Sequence, residues 1–595
     1  MKRAIFTAFL AAFVACAAPD SLSQKTVQTF LDDYNTEFQS LYYASAEAEW
    51  KSNTYIVEGD EETEAATKSA NEAFASFTGS KENIEKATIF LKARKELTPL
   101  QVKQLESILY TAANNPQTVP ALVKQRIEAE AKQTSKLYGF PFKLNEKDIT
   151  TGGLDRILRE GKKLDERLAA WEASKEVGTV LKDGLQNLRK LRNETVKALG
   201  YSDYFSYQVS DYGMTTKEMM EMNQRFLQEI RPLFRELHTY ARYELAKRYG
   251  AQEVPEYLPA HWLPNRWGQD WSSMITVEGL DLNGALKDKS PEWIVREGEE
   301  FYKSIGLGPL PKSFYEKSDM YPLPEGTDYK KNNHASAWHM NLENDIRCLM
   351  SVEPTADYYE TVHHELGHIY YYIAYTNPDV PLLLRGGANR AYHEGVGSLL
   401  GLAAMQKPFL VGRGLIAEDS KTDELRTLLR EALNYIVFMP FSSGVMTEFE
   451  YELYSNNLPV DQYNAKWWEL KKKHQGIVAP SGRGEEYCDA ASKTHINNDA
   501  AQYYDYALSY VLLFQLHDHI SRNILKSNPR ATNYYGNKEV GSFLQSILSK
   551  GASEDWRELM KETLGEELSA SAMLTYFEPL TEYLKEQNKG RKHTL

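Results

Sequence analysis

Apolar residues recur at helical spacing over three long stretches, Asp183 to Leu199, Lys217 to Tyr249 and Leu425 to Val437, with polar residues filling the positions between. Spacing of three and four residues gathers the apolar side chains on one face of a helix. Alternating apolar runs bounded by turn residues, the mark of half-buried strands, are scarce. The pattern predicts a mainly α fold. Proline-rich segments at 255–264, 309–312 and 322–324 read as loops, and Thr150-Thr151-Gly152-Gly153 reads as a break between two helical groups. No low-complexity linker and no internal repeat divides the 595 residues, so residues 19–595 are expected to form one unit with two lobes.

Residues 1–18 follow a different pattern. Met1-Lys2-Arg3 is basic, Ala4 to Ala15 is apolar, and Cys16-Ala17-Ala18 is a run of small residues. That is the order of a secretory signal, too short for a membrane span in the finished protein. Export is expected. Phe13-Val14-Ala15-Cys16 also resembles a bacterial lipobox, so two processing outcomes stand side by side: lipidation at Cys16, with attachment to a membrane, or cleavage after Ala17 or Ala18. Cys348 and Cys488 are then the remaining cysteines, and the sequence does not say whether they pair. The formal net charge of −14 argues against a nucleic-acid partner, because such binding needs a positive surface to neutralise phosphates. It says nothing of oligomeric state.

The chemistry concentrates in Thr361-Val362-His363-His364-Glu365-Leu366-Gly367-His368, which contains H-E-x-x-H in a stretch that reads as helix. Residues four apart share a helix face, so His364 and His368 can both turn an imidazole nitrogen toward one zinc ion, with Glu365 beside it. A catalytic zinc takes three protein ligands and keeps a fourth position open. Glu394, in Ala391-Tyr392-His393-Glu394-Gly395, supplies the third on a following helix, after Asn377-Pro378 and Arg385-Gly386-Gly387 let the chain return. His363 and His393 flank the ligands without the i, i+4 relation, and they read as structural.

Several segments resemble the angiotensin-converting enzyme family of zinc peptidyl-dipeptidases: T-V-H-H-E-L-G-H-I, R-G-G-A-N-R-A-Y-H-E, H-A-S-A-W (334–338), P-A-H-W-L-P-N-R-W-G-Q-D-W (259–271) and S-A-S-A-M-L-T-Y-F-E-P-L (569–580), with Glu49 to Thr54 similar to its N-terminal helix. The resemblance implies a large two-lobed helical zinc metallopeptidase with a deep central cleft. It implies that Glu365 is the general base, that His495 and Tyr506 hold the oxyanion, and that His334 and Ala335 bind the substrate backbone. It also implies that Gln269, Lys493 and Tyr503 capture the free C-terminal carboxylate of an oligopeptide, so that dipeptides are released. The carboxypeptidase branch of the family carries arginine where this chain has Gln269. A zinc carboxypeptidase releasing single residues and a non-catalytic peptide-binding envelope lipoprotein are the alternatives.

The chain departs from the family at informative places. Asn333 and Ser351 stand where animal members close a disulfide around H-A-S-A-W, which favours a bacterial enzyme of the periplasm or cell envelope. Ser398 replaces the acid that orients a zinc-bound histidine, so the groups behind the ligands must differ. Chloride activates many animal members through arginines. Here Asp505 lies between the tyrosines of that motif, and Tyr207 to Ser210, where the other site's arginine is expected, has no basic residue, leaving Lys471. This predicts little dependence on chloride, with Asp505 in a local hydrogen bond or ion pair that positions Tyr506.

Overall fold

The structure, a computed structural model, describes residues 24–57, 60–279, 282–332 and 334–595. The signal segment with Cys16, and Asn333, lie outside the described residues. The chain folds as the apolar spacing predicts. Eight helices matter most for the site: α1 (Gln24–Thr54), α2 (Pro99–Asn114), α3 (Val177–Lys197), α4 (Thr216–Arg248), α5 (Ala356–Tyr375), α6 (Arg390–Ala404), α7 (Glu424–Met439) and α8 (Tyr504–His519). Among the described residues the strands are short pairs. The longest, β1 (Ser336–His339) and β2 (Ile346–Leu349), run antiparallel with Ser336 opposite Leu349. No helix among them is long and apolar enough to cross a membrane.

Local chemistry sets the helix ends. Thr215 caps α4 in a reciprocal box with Glu218, and Thr355 caps α5 by accepting from the Tyr358 amide. One expectation needs correcting: Thr150 is the cap of a helix, Thr151–Glu160, and its hydroxyl accepts from the Gly153 amide. The glycine pair therefore forms the first turn of that helix rather than a break, because a threonine cap offsets the cost of glycine there.

A continuous core runs through α3 to α8 and buries Leu181, Phe226, Leu366, Leu399, Leu433 and Leu512 among others. A second cluster joins Val27, Leu31 and Tyr34 of α1 to Leu105 and Ile108 of α2. The decisive packing for function is the crossing of α5 and α6. A Cβ on Gly367 would lie 2.9 Å from the Gly397 Cα, and one on Gly397 would lie 3.0 Å from the His364 ring. Only hydrogen at both positions lets the two backbones approach this closely, and the approach carries Glu394 to the two histidines. Cys348 and Cys488 are both free and buried.

Candidate active site

His364 and His368 occupy adjacent turns of α5, and Glu394 lies in the second turn of α6, whose start is capped by Asn389 accepting from the Tyr392 amide at 2.9 Å. The loop between the helices is held by the Ala388 amide, which donates to the Tyr371 hydroxyl on α5 at 3.1 Å. One donor atom from each of His364, His368 and Glu394 falls within 4.8 Å of the others. His364 Nε2 is 3.1 Å from His368 Nε2 and 3.7 Å from Glu394 Oε2. A tetrahedral ion with bonds of about 2.0–2.1 Å separates its ligands by roughly 3.3–3.5 Å, so the set fits zinc. The His364 and Glu394 side chains keep 25% and 29% of their surface open, which leaves room for a fourth group.

Electrostatics suit a cation. Burial holds both histidines down to about 4, so they are neutral lone-pair donors at physiological pH. Burial, with Glu394 adding to it, pushes the Glu365 carboxyl up to about 8. A dication would reverse that push, since a positive charge favours the ionised form. The far ring nitrogens also find partners. His364 Nδ1 faces the Ser398 hydroxyl at 3.5 Å, and His368 Nδ1 faces His393 Nδ1 at 2.9 Å. His393 stands outside the metal group, as a structural residue would, yet it braces a candidate ligand directly. Its position beside Glu394 was the available signal. His363, by contrast, is fully buried, with its Nδ1 on the Tyr359 carbonyl at 2.7 Å, and takes no part.

His495 lies on a short helix, Thr494–Asn498, and Tyr506 in the first turn of α8. His495 Nε2 is 3.3 Å from the Tyr506 hydroxyl, and its Nδ1 is 3.1 Å from Thr494 Oγ1. Burial, then the charges of Lys493 and Arg390, hold the imidazole down to about 2, so it stays neutral. Burial, with Glu394 next, raises the Tyr506 phenol and keeps it a proton donor. His334 is exposed, and its amide donates to the Asn332 side-chain oxygen at 3.0 Å. Ala335 immediately precedes β1, whose Ala337 carbonyl accepts from Tyr372 of α5 at 3.1 Å.

Lys493, Gln269 and Tyr503 converge from three places in the chain. Lys493 Nζ donates to Gln269 Oε1 at 2.8 Å, and the Tyr503 hydroxyl donates to the same oxygen at 3.4 Å. The loop that presents Gln269 is set by Asn265, whose side-chain oxygen accepts from the Trp267 and Gln269 amides. The Lys493 ammonium lies 4.3 Å from the Trp267 ring centre. Burial, then the charges of Arg266 and Lys175, pull it down to about 7.

Asp505 makes the local bonds expected of it, accepting from the Tyr212 hydroxyl at 2.5 Å and pairing with Arg390 at 3.3 Å. Lys471, the cation that remains of the other site, has cationic neighbours. Burial, then Lys175 and Lys493 beside it, push its ammonium well below the ordinary range. Lys175 comes from a different helix than the stretch considered, so spacing around Tyr207 could not find it.

Two histidines one turn apart on a helix, a glutamate from the next and an acid between them make the donor set of a mononuclear zinc peptidase of the H-E-x-x-H type. The sequence profile of the family described as angiotensin-converting enzyme matches residues 21–595. The chain belongs to that family. Angiotensin-converting enzyme of Rattus norvegicus is 29% identical over 601 residues, covering 97% of this chain and 44% of the relative. The enzymes of Mesocricetus auratus and Bos taurus are each 30% identical over 590 residues, covering 95% and 96% of this chain. The chain spans about 44% of the length of these curated relatives.

Proposed function

We propose that the chain is a zinc-dependent peptidyl-dipeptidase that removes C-terminal dipeptides from oligopeptides, and that residues 19–595 act as one catalytic unit. His364, His368 and Glu394 would hold the zinc, which when bound supplies Lewis-acid polarisation and acidifies the attacking water. Glu365, 7% exposed and next to His364, takes the proton from that water and hands it to the leaving amine. The neutral His495 imidazole and the Tyr506 hydroxyl donate to the oxyanion that forms on the scissile carbonyl. His334 and Ala335 bind the substrate backbone as an added strand.

The observation that carries the dipeptide reading is the convergence of Lys493 and Tyr503 on Gln269. One ammonium and two neutral polar groups in a buried pocket suit a carboxylate. An arginine in place of Gln269 would fill that space and shorten the reach to the metal. Export to a bacterial periplasm or envelope is proposed on the signal-like residues 1–18, with lipidation at Cys16 as one processing route. The test is mass spectrometry of products from an N-blocked tripeptide with a free C-terminus and from its C-terminal amide. Release of a dipeptide from the acid, with the amide much slower, is expected. Release of a single residue instead identifies a carboxypeptidase, and no cleavage of any peptide by the zinc-loaded protein rejects an enzyme.

A further inference from the structure

Helices α6 and α8 are tied together at their first turns by a charged bridge whose pairing the motifs do not reveal. Arg390 opens α6, one turn before Glu394. Its Nη1 and Nη2 donate to the two oxygens of Asp499 at 2.9 and 2.6 Å, and its Nε lies 3.3 Å from Asp505 Oδ2. Asp505 is the second residue of α8, directly before Tyr506, and its side chain is 2% exposed. A parallel link uses the backbone: the Ala391 amide donates to the Tyr212 hydroxyl at 3.1 Å, and that hydroxyl donates to Asp505 Oδ1 at 2.5 Å. Asp499 lies in the connection between the short helix of His495 and α8. The bridge thus joins the helix of Glu394 to both segments that carry the oxyanion donors.

The helices also touch further along, where a Cβ on Gly395 would meet the Ser509 carbonyl at 3.2 Å. That contact is one turn beyond Tyr506 and does not set the first turn of α8. Nor does the 3.3 Å contact between His495 and Tyr506, which is long for a tyrosine hydrogen bond. A buried carboxylate without a cation either takes up a proton or swings toward water. Burial raises the Asp505 carboxyl to about 7 even with Arg390 and the Tyr212 hydroxyl opposing that push, so removing the guanidinium leaves nothing but that hydroxyl to favour the charge. An ionised carboxylate also suits the positive N-terminal end of α8.

We propose that Arg390 is a positioning residue: by clamping Asp505 and Asp499 it sets the distance of Tyr506 and His495 from Glu394, and so controls oxyanion stabilisation without contacting substrate. The inference rests on the reading of Tyr506 as an oxyanion donor. Arg390 also lines a cavity of about 790 Å³ with Asp211, Tyr212, His393 and Trp556. Direct contact with substrate there is the rival role.

Three variants of the zinc-loaded protein separate these roles. A displacement of about 1 Å at a reacting group costs on the order of 100-fold. Arg390→Met should therefore lower kcat about 10- to 100-fold on a free-acid peptide while KM and zinc content stay within about threefold. Adding Asp505→Asn removes the orphaned charge and should recover much of the lost kcat. In a Tyr506→Phe background, Arg390→Met should cost clearly less than in the wild type, because one of the two donors it positions is gone. The inference is overturned if Arg390→Met leaves kcat unchanged, if its loss is in KM, or if its full effect persists in the Tyr506→Phe background. Wild-type turnover by Tyr506→Phe alone would instead reject the donor reading on which the inference stands.

Discussion

Lys493 sits where a substrate carboxylate is expected, yet its own environment works against its charge. The side chain is buried, Arg266 and Lys175 lie nearby, and the ammonium is pulled down to about 7. Only the charged form can pair with a carboxylate, so apparent affinity scales with the charged fraction of the free enzyme. That fraction is about 0.9 at pH 6, 0.1 at pH 8 and 0.01 at pH 9. KM for a free-acid peptide should therefore rise about tenfold between pH 6 and pH 8, and about tenfold more by pH 9. Once the carboxylate is bound at roughly 4 Å, an attraction of about 4 kcal/mol at an effective dielectric of 20 restores about three pKa units. The bound ammonium then stays charged, so the limb belongs to KM and not to kcat. The C-terminal amide of the same peptide should lack it, as should Lys493→Arg, whose guanidinium does not titrate in this range. The assay is steady-state kinetics of acid and amide from pH 6 to pH 9, with proton uptake on binding a dipeptide product measured by calorimetry in two buffers. A KM for the acid that is flat over this range, or limbs of equal slope for acid and amide, would refute the reasoning.

Glu365→Gln should keep one zinc per chain but lower kcat by about 10²- to 10⁴-fold, as loss of a general base does; near-normal turnover in metal-loaded protein would sink that role. Glu394→Ala should lose its metal to a mild chelator first, and full zinc occupancy there would mean that the third ligand is misassigned. Glu450 is buried, with Oε1 accepting from the Ala501 amide at 2.7 Å and Oε2 without a partner, and burial pushes it up to about 8. Its folded value lies above its unfolded value, so the folded state holds the proton longer and stability falls as pH rises from about 4.5 to 8. Glu450→Gln removes that slope and should gain about 2–3 kcal/mol relative to wild type between pH 5 and pH 7, read by urea unfolding at each pH. An offset that does not change with pH would exclude this carboxyl as the source.

The metal set was legible in the chain because helix periodicity is local: a separation of four between His364 and His368 dictates a shared face wherever the helix ends up. Glu394 could be named once a second helix was read after the glycine-rich return. The three long helices were visible for the same reason. The tertiary structure decided what depends on residues far apart in the chain. Lys493 and Gln269 are 224 residues apart, and spacing carries no information at that distance, so only the family resemblance named them. His393 looked structural because one residue of helix turns a side chain about 100° away from its neighbour, yet the glycine crossing of α5 and α6 brings it back onto His368. Asp505 announced itself as a departure, but its partners Arg390 and Tyr212 come from other elements. Protonation belongs wholly to the fold: Lys493, Glu365 and Glu450 are ordinary residues in the sequence, and burial among particular charges is what moves them.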